Sequence, residues 1–402
     1  MNWTAKRLKY TARVDYGLGQ PPALSETGIP ILRATNVTRG KITSNGLIYA
    51  AKADLPLDRA PLLREGEILV VRSGAYTGDS ALITGAWAGS APGYDLRVTP
   101  ISAYPAYIAY CLLSKGVLDQ VDLAKSRAAQ PHLNAEDLGD VTILLPSFDE
   151  QRRIANFLDA QTARIDCLDG LASNTANLLT ERRRVLIEQI IIGDIIPARK
   201  LFRGLHVLRD GTHQPPPRTS TGVPLLTARN VSTGTLQLTD KDTFVSPEDA
   251  EVLEGSLRPR SRDVLLSVKG TVGASAIIPP GFPRAVLDRN LALLRPQPSL
   301  VNEWLVWVLR TRNLQDQMKL SVAAAAQPGL PLGAIRELRI PSVDIEEQKA
   351  QLQEIEQIDQ QLVDLESKIR SQRHLLVERR QALITAAVTG QIDVTTAGGV
   401  AV

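Results

Sequence analysis

The feature that most constrains this chain is that its sequence is written twice, which fixes an architecture before any single motif is weighed. Gly17-Leu18-Gly19-Gln20-Pro21-Pro22 returns as Gly211-Thr212-His213-Gln214-Pro215-Pro216. The run Gly28-Ile29-Pro30-Ile31-Leu32-Arg33-Ala34-Thr35-Asn36-Val37 returns as Gly222-Val223-Pro224-Leu225-Leu226-Thr227-Ala228-Arg229-Asn230-Val231, again 194 positions on. Ile68–Gly74 matches Val264–Gly270 at 196. Ala128-Ala129-Gln130-Pro131 matches Ala325-Ala326-Gln327-Pro328, and Glu181-Arg182-Arg183 matches Glu378-Arg379-Arg380, both at 197. The order is kept and the offset drifts by only three, so the chain holds two copies of one unit.

Each copy has two parts. Residues 1–149 and 193–345 are rich in Gly, Pro, Thr and short β-branched runs, the signature of mixed α/β domains with several strands. Strands are expected at Ile31–Val37, Ile68–Arg72 and Val141–Leu145, with a helix around Ala106–Leu113 whose Tyr107 and Tyr110 face the core. Residues 150–192 and 346–389 are different in kind, and 390–402 read as a tail.

From Leu352 a seam runs through Ile355, Ile358, Leu362, Leu365, Ile369, Gln372, Leu376, Arg379, Leu383 and Ala386, in steps of three and four that sum to seven. That spacing specifies a coiled coil. The first copy repeats it less cleanly as Ala155, Leu158, Gln161, Ile165, Leu168, Ala172, Thr175, Leu179, Arg182, Leu186 and Gln189. Ser147 to Glu150 forms a capping-box pattern, Asp344 and Glu347 play similar parts, and Gly193 and Gly390 close the helices. About 40 residues at about 1.5 Å each make a rod of roughly 60 Å. The fold class is therefore α+β: two tandem mixed α/β domains separated by two long helices packed as an antiparallel coiled coil, an internal pseudo-two-fold repeat. A duplicated scaffold whose coiled coil merely dimerises it is equally compatible with these features.

Composition narrows the function classes. The 402 residues carry a net charge of +3, and the cationic surplus sits in residues 193–345, with 19 Lys and Arg against 14 Asp and Glu. This agrees with a nucleic-acid partner without announcing one. No apolar run approaches a membrane span, the first residues lack a signal-peptide pattern, and two cysteines, Cys111 and Cys167, suit a reducing compartment, so a cytoplasmic protein is expected. Both cysteines read as packing residues. There is no phosphate loop, dinucleotide-binding glycine motif, Asn/Asp-Pro-Pro-Tyr/Phe element or Cys/His metal cluster among the four dispersed histidines, so no catalytic site, metal or cofactor is expected in this chain.

The order of variable α/β domain, long helix, second variable domain and second helix resembles the specificity subunits of Type I restriction-modification systems. Glu150-Gln151 and Glu347-Gln348 at the helix starts, the Glu-Arg-Arg runs and the Gly-x-Pro-x-x-x-Ala-x-Asn-Val elements carry the resemblance. It implies two target-recognition domains, each reading one half of a bipartite, asymmetric site in double-stranded DNA. It also implies helices that set the spacing and dock two methyltransferase subunits, with restriction and translocase subunits joining the full complex. S-adenosylmethionine, ATP and Mg are then expected on partner subunits. The chain itself would not be an enzyme.

Base and phosphate contacts need donors in fixed geometry on loops. Candidates in the first half are Arg33, Thr35, Asn36, Arg39 and Lys41, then Arg72, Ser73 and Tyr76, then Lys125, Arg127 and Gln130. The aligned candidates in the second half are Thr227, Arg229 and Asn230, then Lys269 and Thr271, then Gln327. Asn36 and Asn230 are equally suited to fixing a turn. The arginines Arg182, Arg183 and Arg184 read as a charged helix face pairing with Glu181, Glu188 or a partner protein.

Overall fold

A computed structural model describes residues 3–126, 132–193, 197–212, 217–254, 258–325 and 329–394. The chain divides into two compact units, Met1–Ser173 with Arg370–Val402, and Asn174–Ile369. Each unit therefore holds one globular half, the near end of one long helix and the far end of the other.

In the first unit, four antiparallel strands lie in the order Ala12–Tyr16, Leu96–Pro100, Ile68–Val70, Ser80–Leu82. The second unit repeats this order with Leu205–Asp210, Leu291–Pro296, Val264–Ser267 and Ser275–Ile277. The repeat is thus a repeat of topology. A small ladder, Thr4–Arg7 with Thr142–Leu145, leads into the first long helix, and Ala198–Lys200 with Arg339–Pro341 does the same for the second. The halves diverge between these shared pieces: the second adds the helix Pro247–Glu254 and widens into a parallel ladder, Val223–Leu226 with Val286–Leu287, what is in the first a single parallel bridge of Ile31 with Ala91.

The helix Pro105–Leu113 is nearly all apolar and lies against the sheet, with Tyr107 and Tyr110 buried as expected. Trp304 takes the matching place in the second half. The expected strand Ile31–Val37 is interrupted: pairing stops at Ile31, a turn of 3-10 helix covers Ala34–Asn36, and pairing resumes at Val37. The side chain of Asn36 caps that turn from within it, which breaks the extended run. Cys111 is buried, and burial pushes its thiol up to about 12; Cys167 is exposed on the first long helix, contrary to the expected packing role.

The long helices run Phe148–Ile192 and Ile345–Val388. Both start under a side-chain cap: Ser147 Oγ accepts from Glu150 N–H (3.4 Å), and Asp344 Oδ1 accepts from Glu347 N–H (2.8 Å). The reciprocal half of the capping box is absent among the described residues. Glu150 instead accepts from the Trp3 indole (3.2 Å) and Glu347 from Gln351 (3.1 Å). Gly193 and Gly390 end the helices at φ 54° and 73°, a conformation that costs glycine nothing.

The helix ends within each unit are antiparallel. In the first unit Asp166 pairs with Arg380 (2.6 Å), and Asp169 takes a forked contact from Arg373 (2.6 and 3.2 Å). In the second, Arg183 reaches Asp359 (2.5 Å) and Thr180 reaches Glu366 (3.5 Å). The last Arg of each Glu-Arg-Arg run, Arg183 and Arg380, thus pairs across helices, while Arg184 pairs with Glu181 on its own helix (2.8 Å). Along the long helices Ile154, Ala155, Leu158, Ile384, Ala387 and Val388 join the first core and Ile187, Ile191 and Ile355 the second, while seam positions Ile165 and Leu362 are buried outside those cores. Seam positions Leu168 and Leu365 stay 44% exposed. No helix among the described residues is long and apolar enough to cross a membrane.

A buried glutamine fastens each globular half to its helix. Gln151 accepts from Tyr104 N–H (2.8 Å) and donates to Pro146 O (2.9 Å). Gln348, fully buried, accepts from Val301 N–H (2.8 Å) and donates to Ser299 O and Val343 O (3.1 Å each). Truncation strands backbone groups away from water, at about 1 to 3 kcal/mol for each group left unpaired. Gln348→Ala is therefore expected to destabilise its half by at least about 2 kcal/mol, and Gln348→Glu by more because a carboxylate would face two carbonyls. Urea unfolding together with hydrogen-exchange protection of the Val301 amide checks both.

Candidate nucleic-acid interface

Three loops of the first half carry the candidate residues, and the structure sorts them. Asn36 is fully buried: its Oδ1 accepts from Arg33 N–H (3.1 Å), and its Nδ2 donates to Thr43 O (3.1 Å) and Asn45 O (2.9 Å). Asn230 repeats this, with Oδ1 accepting from Thr227 N–H (2.8 Å) and Oγ1 (3.1 Å), and Nδ2 donating to Gln237 O and Asp242 Oδ2 (2.9 Å each). Every amide proton is used, so both asparagines hold a loop and neither is free to meet a base. Thr227 belongs to the same motif. The shared Ala-x-Asn-Val element is thus a folding device.

Lys41 pairs with Asp166 of the first helix (2.8 Å), which also holds Arg380, so this candidate cation is committed to the protein. Lys125 is likewise engaged, with Asp122 (2.6 Å) and Thr77 O (3.3 Å). Arg33 stays exposed but gives one N–H to Gly46 O (2.6 Å), holding the turn below it. Arg39 turns the short hairpin at φ 41°, and its backbone N–H meets Asp79, whose carboxyl is held above its ordinary range by burial against the opposing pull of Arg39 and Lys125. Thr35 and Tyr76 are exposed, and Ser73 is fixed by a backbone bridge to His132. In the second half Arg229 is exposed on the short helix Ala228–Val231, and Lys269 and Thr271 are exposed on a loop. Arg127, Gln130 and Gln327 lie outside the described residues.

Arg72 differs from the other cations. Its guanidinium carbon lies 4.9 Å from the centre of the Tyr16 ring and 4.5 Å from that of Tyr94, a cation held between two rings. Both rings are about half exposed, at 48% and 50%. The backbone is pinned on both sides: Arg72 N–H donates to Asp95 Oδ1 (3.1 Å), and Arg72 O accepts from Leu133 N–H (2.8 Å). Tyr16 is held in turn, its hydroxyl accepting from Ala135 N–H (3.2 Å). The two tyrosines and Asp95 escape sequence reading because they lie on separate segments, and no local period links them to Arg72.

The second half builds nothing similar at the matching places. Pairing of Val70 with Leu96 corresponds to pairing of Leu266 with Ala292, so Tyr16, Arg72 and Tyr94 fall opposite Asp210, Val268 and Asn290. Among the described residues no group of three or more His, Cys, Asp or Glu is placed to hold a metal ion.

Residues 24–172 match the family model described as Type I restriction modification DNA specificity domain. Over 305 residues the chain is 19% identical to the Type I restriction enzyme EcoBI specificity subunit of Escherichia coli, covering 69% of this chain and 64% of that protein. The chain thus spans a little less than two thirds of that relative's length. A solved structure described as "Structural basis underlying complex assembly and conformational transition of the type I R-M system" is similar at a TM-score of 0.72 and 20% identity, over 96% of this chain and 97% of that one. The HsdS subunit from Thermoanaerobacter tengcongensis is similar at a TM-score of 0.56 and 20% identity, over 97% of each. These likenesses bear out the resemblance read from the sequence. The family match ends at residue 172, and the equivalence of the second half rests on the repeat and the shared strand order.

Asp95, 2% exposed, gives this interface a pH signature. Burial pushes its carboxyl up to about 6, against the pull of the Arg72 backbone N–H and guanidinium. The folded chain then binds more protons than the unfolded chain between about pH 4 and 6, so stability falls as pH rises through that window and levels off above it. Asp95→Asn is expected to remove this decline, worth up to about 3 kcal/mol, as read from thermal unfolding of both proteins from pH 4 to 7.

Proposed function

We propose that this chain is the DNA sequence-specificity subunit of a Type I restriction-modification complex, and that it is not itself catalytic. Its two globular halves each read one half of a bipartite, asymmetric site in double-stranded DNA. The observation that carries this reading is the pairing of sameness with difference. Strand order, the asparagine that pins the first loop and the glutamine that fastens the helix are shared. The side chains that crown the sheet are not. A scaffold that duplicated itself for symmetry alone has no need for Tyr16, Arg72 and Tyr94 in one half and Asp210, Val268 and Asn290 in the other.

The helices suit docking. Leu168, Leu375 and Val377 in the first unit, and Leu178, Val185, Val363 and Leu365 in the second, lie 40% or more exposed, an uncommon concentration of large apolar groups on charged helices. Two methyltransferase subunits are assigned to these surfaces, with restriction and translocase subunits completing the complex. S-adenosylmethionine, ATP and Mg belong to those partners, and the assembly works in the cytoplasm. The polar framework of Arg–Asp pairs fixes helix register while leaving apolar area for them.

Methylation mapped by single-molecule sequencing, in a methylation-free host expressing the neighbouring methyltransferase with and without this chain, tests the reading. A bipartite, asymmetric motif is expected only with the chain. Methylation that is identical in its absence, from a verified complex, would leave the scaffold as the better account.

A further inference from the structure

We propose that Arg72, held between Tyr16 and Tyr94, is the residue by which the first globular half reads a guanine. This rests on the specificity-subunit reading and adds to it a residue, a base and a half-site.

Most partly buried arginines among the described residues meet a carboxylate. Arg72 does not, in common with Arg199 and with Arg310, which donates to Gly234 O and Ser275 O, but of these Arg72 alone lies against two rings. Arg295 forks onto Asp263 (2.7 and 2.8 Å), Arg284 onto Glu254 (2.8 and 3.1 Å), and Arg373 onto Asp169. Each of those has its charge answered by a carboxylate. The guanidinium of Arg72 makes no ion pair among the described residues, and its Nε is buried without a hydrogen-bond partner. Asp95 spends Oδ1 on the Arg72 backbone instead. A cation kept out of an ion pair yet fixed by two rings is placed for an acceptor that comes from outside.

The surroundings select among acceptors. Rings on both sides confine the guanidinium, and its free edge is a fork of parallel N–H donors. The acceptor that suits such a fork on duplex DNA is the pair O6 and N7 on the major-groove edge of guanine, in plane with the donors. Because backbone and side chain are immobilised before DNA arrives, little freedom is lost on contact. Val268 at the matching position of the second half cannot make this contact, so the proposed guanine belongs to one half-site only.

The test uses the assembled complex with its methyltransferase and synthetic duplexes carrying the mapped site, in which each guanine of the first half-site is replaced in turn by 7-deazaguanine, which lacks the N7 acceptor. One position is expected to weaken wild-type binding by tenfold or more. In complexes carrying Arg72→Ala or Arg72→Lys the same substitution should change binding less than twofold, and methylation mapping should show that position relaxed to other bases while the second half-site stays intact. A uniform loss of methylation with the motif unchanged would make Arg72 a phosphate contact and overturn the proposal. So would a first half-site without a sensitive guanine in wild type, a result that stands even if the Arg72 variants fail to assemble. Absence of any chain-dependent motif in wild type would instead overturn the specificity reading itself.

Discussion

A glutamine amide buried at the start of each long helix is the contact on which the rest of each half depends. A helix that enters a globular core must satisfy its first N–H groups while bringing its apolar face onto that core. Ser147 and Asp344 serve the helix ends, whereas Gln151 and Gln348 reach backwards into the loops that precede Pro105–Leu113 and Asn302–Arg310. The short helix, the sheet beneath it and the long helix are thereby locked in one arrangement. Loops at the far side of the sheet can then change without disturbing the mount, which is what a module for reading varied sequences requires.

The interhelix contacts serve a different end from the core. Partly exposed Arg–Asp pairs contribute little to stability, yet they specify orientation and register. Asp166, Asp169 and Asp359 each meet an arginine of the opposite helix. Much of the apolar stripe beside them stays uncovered, and the same helices thus hold register within the chain and offer area to another protein.

Much of this was legible in the sequence. The repeat announced two equivalent halves, because strand order and the fastening glutamines recur at the offsets read along the chain. The long helices were legible from their seven-residue period, since helix geometry turns a spacing directly into a face. What the spacing could not show was where that face is covered: Leu168 and Leu365 fit the seam, yet packing beyond the globular ends leaves them exposed. The site was less legible. Asn36, Asn230, Lys41 and Lys125 have the chemistry of DNA contacts, but their partners, at Thr43, Gln237, Asp166 and Thr77, are set by how loops and helices fold back on one another. The cradle of Arg72 draws Tyr16 and Tyr94 from two different strand ends, a proximity that no local pattern encodes.

The central claim is that each half is an independent reader on an interchangeable mount, and its most direct test is to make the chain symmetric. Residues 3–147 are replaced by a second copy of residues 197–344, keeping both long helices, and methylation is mapped with the partner methyltransferase. The account predicts a bipartite motif in which both half-sites are the one read by the second half, with an unchanged gap. Retention of the original asymmetric motif, or the loss of all sequence preference from an assembled and active complex, would contradict it.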